Sequence, residues 1–238
     1  MQKSRIDKFI STALSVNKRE VKLLLARKKV MVDEIVITDA AFQINKFSVI
    51  AVNNKILQKE QPIYIMLHKP VGVVSATKDE IHKTVIDLLH FPNKETLHIV
   101  GRLDLNTSGL MLLTNDSRWS ERLTLPQSKV PKVYQVTLKE QLTQDYIAAF
   151  KQGMYFEYED ITTAPAILEI MSDYVAKVIL MEGKYHQIKR MFGRFSNQVM
   201  QLHRSKIGSL DLDINLKAGE SRELTADEVE NIFNLNSG

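Results

Sequence analysis

The segment from Gly101 to Leu110 holds residue types that could perform nucleophilic chemistry. One acid, Asp104, stands between two leucines and two positions after Arg102, and glycines frame the segment. Partial burial by leucines raises the pKa of a carboxyl group, whereas a cation in contact lowers it and keeps the carboxylate ionised. An ionised, partly desolvated carboxylate can act as a nucleophile. The alternative is a structural turn, in which Asp104 and Asn106 bind local amides and the glycines permit positive φ.

A second candidate segment, from Glu182 to Phe192, is basic. From residue 181 to residue 206 there are six Lys and Arg against one Asp or Glu, a net charge of +5. The pattern predicts a helix over 186–195, with apolar residues toward the core and Lys189 and Arg190 in its interior. The same pattern is typical of an ordinary amphipathic helix with a solvated basic side.

Tyr134 belongs to a predicted strand over 132–138 and shares a face with Val136 and Leu138. A tyrosine in this pattern is usually part of a core. At the edge of a cleft, its ring could instead stack on an extruded nucleic-acid base.

The elements that must position these residues predict a mixed architecture. Because strands and helices do not alternate regularly, we expect an α+β fold with a mixed, mainly antiparallel sheet. Strands are predicted near 63–68, 97–100, 110–114, 132–138, 166–170 and 174–181. Helices are predicted over 84–89, 118–124, 143–151, 186–195 and 225–233.

The first 60 residues form a separate basic module. They hold 12 Lys and Arg against 6 Asp and Glu, whereas residues 61–238 hold 20 against 22. Ser4 and Asn17 each precede an acid by three positions, as in a capping box, so two helices should start there. A polar segment over 58–62 ends in proline and marks a boundary. We therefore predict domains at 1–60 and 61–238.

Composition excludes several classes of protein. The chain has 238 residues, 44% of them apolar, and contains no cysteine, which removes disulfides and a cysteine nucleophile. No apolar run is longer than that at 63–67, which is far shorter than the ~20 residues of a membrane-spanning helix. No secretory signal is recognisable, so a cytoplasmic protein with no membrane partner is expected. The basic module favours a polyanion partner, although an ordinary solvated surface has the same charge.

The N-terminal segments 5–10 and 17–33 resemble the S4 RNA-binding domain. In that family the second helix lays a basic face on structured RNA. The residues implied here as RNA-binding are Arg5, Lys8, Lys18, Arg19, Lys22 and Arg27. Lys28 and Glu34 stand where the family usually has glycine, and a left-handed turn without glycine costs roughly 1 kcal/mol.

Four segments of the larger domain resemble, in order, the motifs of RNA pseudouridine synthases: 69–75, 101–116, 132–134 and 182–192. The N-terminal module, Trp119-Ser120 and the run 185–192 are most similar to the RsuA family. This resemblance implies isomerisation of one uridine in 16S ribosomal RNA, expected at uridine 516, with no metal and no cofactor. It also implies an assembling small subunit as the partner, and we expect a monomer.

The resemblance assigns roles to individual residues. Asp104 would be the catalytic nucleophile or electrostatic partner, with its attack on the ribose or on the base left open. Arg102 would hold the site that the flipped nucleotide vacates or would contact its phosphate. Tyr134 would stack on the target base, and Lys189 would pair with Asp104. RNA contacts are expected from His186, Gln187 and Arg190.

Other activities remain as alternatives. A 23S synthase of the same family, or a non-catalytic S4-type RNA-binding or ribosome-assembly factor, would share most of these motifs. A glycoside hydrolase needs two carboxylates, and Asp116 is the nearby candidate for the second. A metal enzyme is disfavoured because His82, His90 and His98 are eight residues apart. A serine hydrolase would need a Gly-x-Ser-x-Gly elbow, which the sequence lacks.

Overall fold

A computed structural model describes residues 4–234 of the chain. The chain divides into two compact units, Met1–Pro62 and Ile63–Gly238. Within the described range, no helix is long and apolar enough to span a membrane.

The first unit packs two helices on small antiparallel sheets. Its core is built from aliphatic side chains such as Ile6, Ile10, Val21 and Leu25. The helices are α1 (Ile6–Leu14) and α2 (Lys18–Ala26), and the strands are β1 (Ser4–Arg5), β2 (Val30–Val32), β3 (Ile35–Val36), β4 (Gln43–Ile44), β5 (Ile50–Val52) and β6 (Lys55–Gln58). The four-stranded sheet has the order β3-β2-β5-β6, and β1 pairs with β4.

One of the two predicted helix caps is confirmed. The Asn17 side chain accepts hydrogen bonds from the amides of Arg19 and Glu20, and the Glu20 carboxylate accepts one from the Asn17 amide. The cap predicted at Ser4 is wrong, because Ser4 and Arg5 pair with β4 as a strand. Asp7, the acid three positions after Ser4, is buried, and its carboxylate binds the Arg5 guanidinium at 2.7 Å.

Both positions that lack the expected glycine adopt the left-handed conformation. Lys28 has φ +56° and Glu34 has φ +67°. In this region the Cβ atom crowds the backbone, whereas glycine has no such penalty.

We therefore expect Lys28→Gly and Glu34→Gly each to raise the free energy of unfolding by about 1 kcal/mol. Urea unfolding of the whole chain would measure the change. Lys29→Gly is the matched control, since Lys29 is also exposed but is not among the residues with positive φ. Equal effects of all three substitutions would show that the conformation at 28 and 34 carries no strain.

The second unit is built on a nine-stranded sheet. Its strands are β7 (Tyr64–Lys69), β8 (His98–Val100), β9 (Ser108–Thr114), β10 (Lys132–Leu138), β11 (Tyr155–Phe156), β12 (Ile161–Thr162), β13 (Ile167–Ser172), β14 (Val175–Leu180), β15 (Val199–Ile207), β16 (Leu210–Asp211) and β17 (Ser221–Glu223). The strand order of the large sheet is β13-β14-β10-β15-β9-β7-β17, with β8 paired to β9 and β16 paired to β15. The helices are α3 (Ser117–Thr124), α4 (Asp145–Gln152), α5 (Gln187–Gly193) and α6 (Ala226–Asn231).

The expectation of a mixed, mainly antiparallel sheet is confirmed. Among the strand pairs of this sheet that the structure describes, β9 with β15 is parallel and the others are antiparallel. The parallel contact is short, joining Ser108 to His203 and Gly109 to Arg204. The start of β9 therefore lies beside β15, and the candidate loop at 101–107 enters the sheet at this junction.

One predicted helix is wrong, and five strands were not predicted: β11, β12, β15, β16 and β17. Residues 85–88 form turns, and the Asp87 carboxylate accepts hydrogen bonds from the amide and hydroxyl of Thr84, both at 2.8 Å. The strand β15 escaped prediction because its sequence mixes polar and apolar residues without clear alternation. The other predicted strands and helices of this unit are confirmed within a few residues.

Candidate active site

A buried lysine holds the backbone of the loop that carries Asp104. Lys69, at the end of β7, is fully buried. Its Nζ donates hydrogen bonds to the backbone carbonyl of Asp104 at 3.1 Å and to that of Thr107 at 2.8 Å. It also reaches the carbonyl oxygens of Pro70 and Leu105, at 3.0 and 3.4 Å. One ammonium group thus ties together the turn that presents the catalytic candidate.

Burial lowers the pKa of Lys69 to about 8, and the negative charge of Asp104 opposes that shift. The four carbonyl oxygens also favour the charged form, because a neutral amine has fewer N–H groups to donate. Lys69 therefore carries its charge at neutral pH, where it stabilises the loop.

Two further contacts fix the loop backbone. The Ser75 hydroxyl donates to the Leu103 carbonyl at 2.6 Å and accepts from the Leu103 amide at 3.1 Å. The Gly72 amide donates to the Leu105 carbonyl at 2.9 Å. Residues on both sides of Asp104 are thus anchored through their backbone, which leaves the Asp104 side chain available for chemistry.

The Asp104 carboxylate faces two basic side chains of the second candidate segment. Lys189 Nζ lies 3.0 Å from one carboxylate oxygen, and His186 Nε2 lies 3.4 Å from the other. All three side chains are partly exposed, with 27% of the Asp104 side chain accessible. The structure therefore brings Asp104 together with the lysine expected to pair with it, at a position that solvent and a substrate can reach.

The turn that leads into α5 is organised by Gln187, which is buried. Its side-chain oxygen accepts from the Lys184 amide at 3.0 Å, and its Nε2 donates to Glu182 at 2.8 Å. Gln187 was expected to contact RNA, but its amide is used inside the protein. It orders the turn that carries His186.

A small cleft of about 80 Å³ opens in front of Asp104. Arg102, Tyr134 and His186 line it together with Asp104. Tyr134 is 8% exposed and packs in the main core of this unit, so it is both a core residue and part of the cleft wall. Arg102 is exposed at the rim.

A larger groove of about 1040 Å³ lies next to the cleft and shares Leu202 with it. Lys189, the partner of Asp104, also lines this groove. Its other polar side chains are uncharged amides and hydroxyls, with one histidine: Asn106, Ser108, Gln135, Thr137, Ser196, Asn197, Gln198, Gln201 and His203. Amide side chains of this kind can pair with the edges of nucleic-acid bases.

Arg204 is a structural residue that the sequence did not reveal. It is 3% exposed, and its Nε donates to the Leu110 carbonyl at 2.8 Å. Its backbone lies against Gly109, where a Cβ atom would meet the Arg204 carbonyl oxygen at 2.2 Å. The glycine that ends the loop motif is therefore required by the close approach of β9 and β15.

The remaining predicted RNA-binding residues are spread over both units. Arg190 pairs with Glu159 at 2.6 Å and lies over the Phe156 ring. In the first unit, Arg5 is paired with Asp7. The other basic candidates there are exposed: Lys8, Lys18, Arg19, Lys22 and Arg27.

Asp116, the candidate for the second carboxylate of a glycoside hydrolase, is used structurally. Asp116 caps α3 by accepting from the amides of Arg118 and Trp119, and it also binds the Tyr64 hydroxyl at 3.0 Å. Among residues 4–234, no group of three or more His, Asp or Glu side chains is placed to hold a metal ion.

Comparison with known proteins agrees with this geometry. The model of the RNA pseudouridylate synthase family matches residues 63–193. A protein of Pseudomonas aeruginosa named ribosomal small subunit pseudouridine synthase A is 45% identical over 226 residues, which cover 94% of this chain and 98% of that protein. Proteins of the same name from Vibrio cholerae and Escherichia coli are 40% and 38% identical, each over 96% of this chain and 99% of their own length.

A solved structure described as a pseudouridylate synthase superposes with a TM-score of 0.70 at 36% identity, and the match covers 96% of this chain and 99% of that one. The resemblance seen in the sequence motifs is thereby confirmed over nearly the whole chain. The chain belongs to the RNA pseudouridylate synthase family, among its RsuA members, and is an RNA pseudouridine synthase.

Proposed function

We propose that this enzyme converts uridine 516 of 16S ribosomal RNA into pseudouridine, with Asp104 as its catalytic carboxylate and without a cofactor. The observation that carries the catalytic part is the Asp104 carboxylate, held 3.0 Å from Lys189 at the mouth of the cleft. The names of the full-length relatives support the small-subunit RNA as substrate.

The reaction is an isomerisation and needs no oxidant or reductant. The bond between N1 of the base and C1′ of the ribose breaks, the base turns, and a bond forms between C5 and C1′. The proton on C5 leaves to water, and N1 takes up a proton. Atoms and electrons therefore balance within the nucleotide and the solvent.

The residues around the cleft fit the steps of this reaction. The uridine must leave its stack before any side chain can reach it, and an aromatic ring can hold the extruded base. The Tyr134 ring forms part of the cleft wall. The planar guanidinium of Arg102, which also lines the cleft, is suited to bidentate hydrogen bonds with a phosphate. Lys189 Nζ lies 3.0 Å from the Asp104 carboxylate and places a positive charge beside it.

Modification mapping tests the choice of substrate. Transcripts of 16S and 23S RNA and partly assembled small subunits would each be incubated with the enzyme, and pseudouridine located by chemical modification and reverse transcription. One product at uridine 516 is expected, in the 16S transcript or in the particles. A product confined to 23S RNA, or at another uridine, would overturn the assignment.

The first unit is proposed to be an S4-type module that binds structured RNA through α2. Asn17 caps this helix, and its exposed residues include Lys18, Arg19 and Lys22. Cations that displace counterions from phosphates give binding that weakens with salt.

Alanine at Lys18, Arg19 and Lys22 together should flatten the dependence of log affinity on log salt by up to about one unit per charge removed. Filter binding to the 16S transcript at several salt concentrations would measure the slope. The control replaces Lys139, Lys151 and Lys177 in the second unit, which removes the same charge. An unchanged slope in the α2 variant would contradict an RNA contact through α2. An equal decrease of the slope in the α2 variant and in the control variant would contradict it as well.

A further inference from the structure

Tyr185 is an exposed aromatic residue beside the catalytic cleft. It is 77% exposed and stands directly before His186, in the turn that precedes α5. Single exposed apolar residues are common on protein surfaces, so exposure alone indicates nothing. The contacts of this ring are what distinguish it.

The Tyr185 ring is connected to the catalytic carboxylate through one side chain. It stacks on the His186 ring with the centroids 3.9 Å apart and the planes 19° from parallel. His186 Nε2 in turn lies 3.4 Å from Asp104 Oδ1. One face of the Tyr185 ring is covered by His186, and most of the side chain remains open to solvent a single residue away from the catalytic group.

The turn that carries Tyr185 is rigidly held. Gln187 bonds the Lys184 amide and the Glu182 carboxylate, and that carboxylate also accepts from the Ala164 amide at 2.8 Å. His186 itself has φ +48°, a left-handed conformation that is strained for a residue with a Cβ atom. Strain of this kind persists where the surrounding structure enforces it, and it is frequent at ligand-binding sites.

We propose that Tyr185 is a stacking platform for an RNA base that neighbours the target uridine. When a uridine is extruded, the bases beside it lose a stacking partner. A fixed aromatic ring at the rim of the cleft can replace that partner. Since every base has a π face, the platform accepts any base at this position.

The inference rests on the proposed role of Asp104, because the platform is located by its distance from that residue. It adds a binding subsite that lies outside the cleft. Stacking of a base on an aromatic side chain is worth about 5- to 100-fold in affinity. Its loss should raise KM and Kd and leave kcat at saturating RNA unchanged, whereas displacement of His186 from Asp104 would lower kcat.

A double-mutant cycle between protein and RNA tests the platform. The substrate is an RNA fragment that contains the target uridine, with each flanking nucleotide in turn replaced by an abasic one. Tyr185→Ala should raise KM and Kd about 5- to 100-fold, and Tyr185→Phe should stay within about twofold of the native protein. One abasic position should weaken binding by the native protein by the same factor and have no effect on Tyr185→Ala.

Tyr174→Ala is the matched control, since Tyr174 is also exposed but lies at the turn between β13 and β14. It should leave KM unchanged. Three results would overturn the proposal. The effects of Tyr185→Ala and of every abasic substitution could be independent, the loss could be confined to kcat, or Tyr185→Phe could bind as weakly as Tyr185→Ala. If the proposed function is wrong, the native protein will not convert the unsubstituted fragment. If only the platform is wrong, the native protein will convert it, and the double-mutant cycle will show no coupling between Tyr185 and a flanking base.

Discussion

Asp104→Asn is expected to abolish pseudouridine formation and to leave RNA affinity within about twofold of the native protein. The substitution removes the charge of the carboxylate but keeps its shape. The loop should persist, because the hydrogen bonds of Lys69 and Ser75 are made to its backbone and not to the Asp104 side chain. Loss of a catalytic nucleophile lowers kcat on the order of 10⁴-fold or more.

Single-turnover assays with excess enzyme would measure this loss, and filter binding would measure affinity. Asp116→Asn is the matched control, because asparagine also caps helices well and the Tyr64 hydroxyl keeps an acceptor. The control should retain activity. Turnover by Asp104→Asn above a thousandth of the native rate would remove Asp104 from the nucleophilic role.

Gly109→Ala is expected to lower the free energy of unfolding by about 4 kcal/mol, through overpacking and backbone strain together. Gly109 has φ +113°, and an added Cβ atom would lie 2.2 Å from the Arg204 carbonyl oxygen and 2.6 Å from its amide nitrogen. Both are backbone atoms of the parallel contact between β9 and β15, so the clash can be relieved only by moving a strand. A loss of this size is a large part of the net stability of a typical domain.

Urea unfolding would measure the effect, and recovery of soluble protein would measure it if the variant fails to fold. Gly193→Ala is the control, because an added Cβ atom there meets no atom within 4 Å. The control should be neutral or slightly more stable. A Gly109→Ala protein that unfolds within 1 kcal/mol of the native one would show that β9 and β15 are not packed this closely.

Local patterns predicted much of the fold because they depend on neighbouring residues. The alternation in 132–138 indicated β10, and Asn17 followed by Glu20 indicated the start of α2. Each of these features is encoded within a few residues of the chain.

Long-range contacts explain what could not be predicted. Ser4 forms a strand because β4 lies beside it, which overrides its preference for a helix cap. In β15, the buried Arg204 interrupts the apolar pattern because it bonds the Leu110 carbonyl on β9. Neither partner is near in sequence, so no local pattern records the contact.

The candidate site also contains features that the sequence indicated and features that depend on long-range contacts. Residue types and spacing made Asp104 a candidate, and the family resemblance added Lys189. Neither indicated the role of Lys69, which depends on carbonyl oxygens 35 to 38 positions away. The family resemblance gave Gln187 as an RNA contact, and its burial became visible only in the structure. Motifs locate the chemistry, and tertiary packing decides which polar residues support it.

Release of tritium from C5 tests the central claim most directly, because the C5 proton leaves only if the base is rejoined through that carbon. A 16S transcript labelled at C5 of uridine would be incubated with native enzyme and with Asp104→Asn, free and in partly assembled small subunits. Release of about one equivalent per RNA by the native enzyme, and none by Asp104→Asn, is predicted. Equal release by both proteins, or no release by the native enzyme from either substrate, would contradict the account.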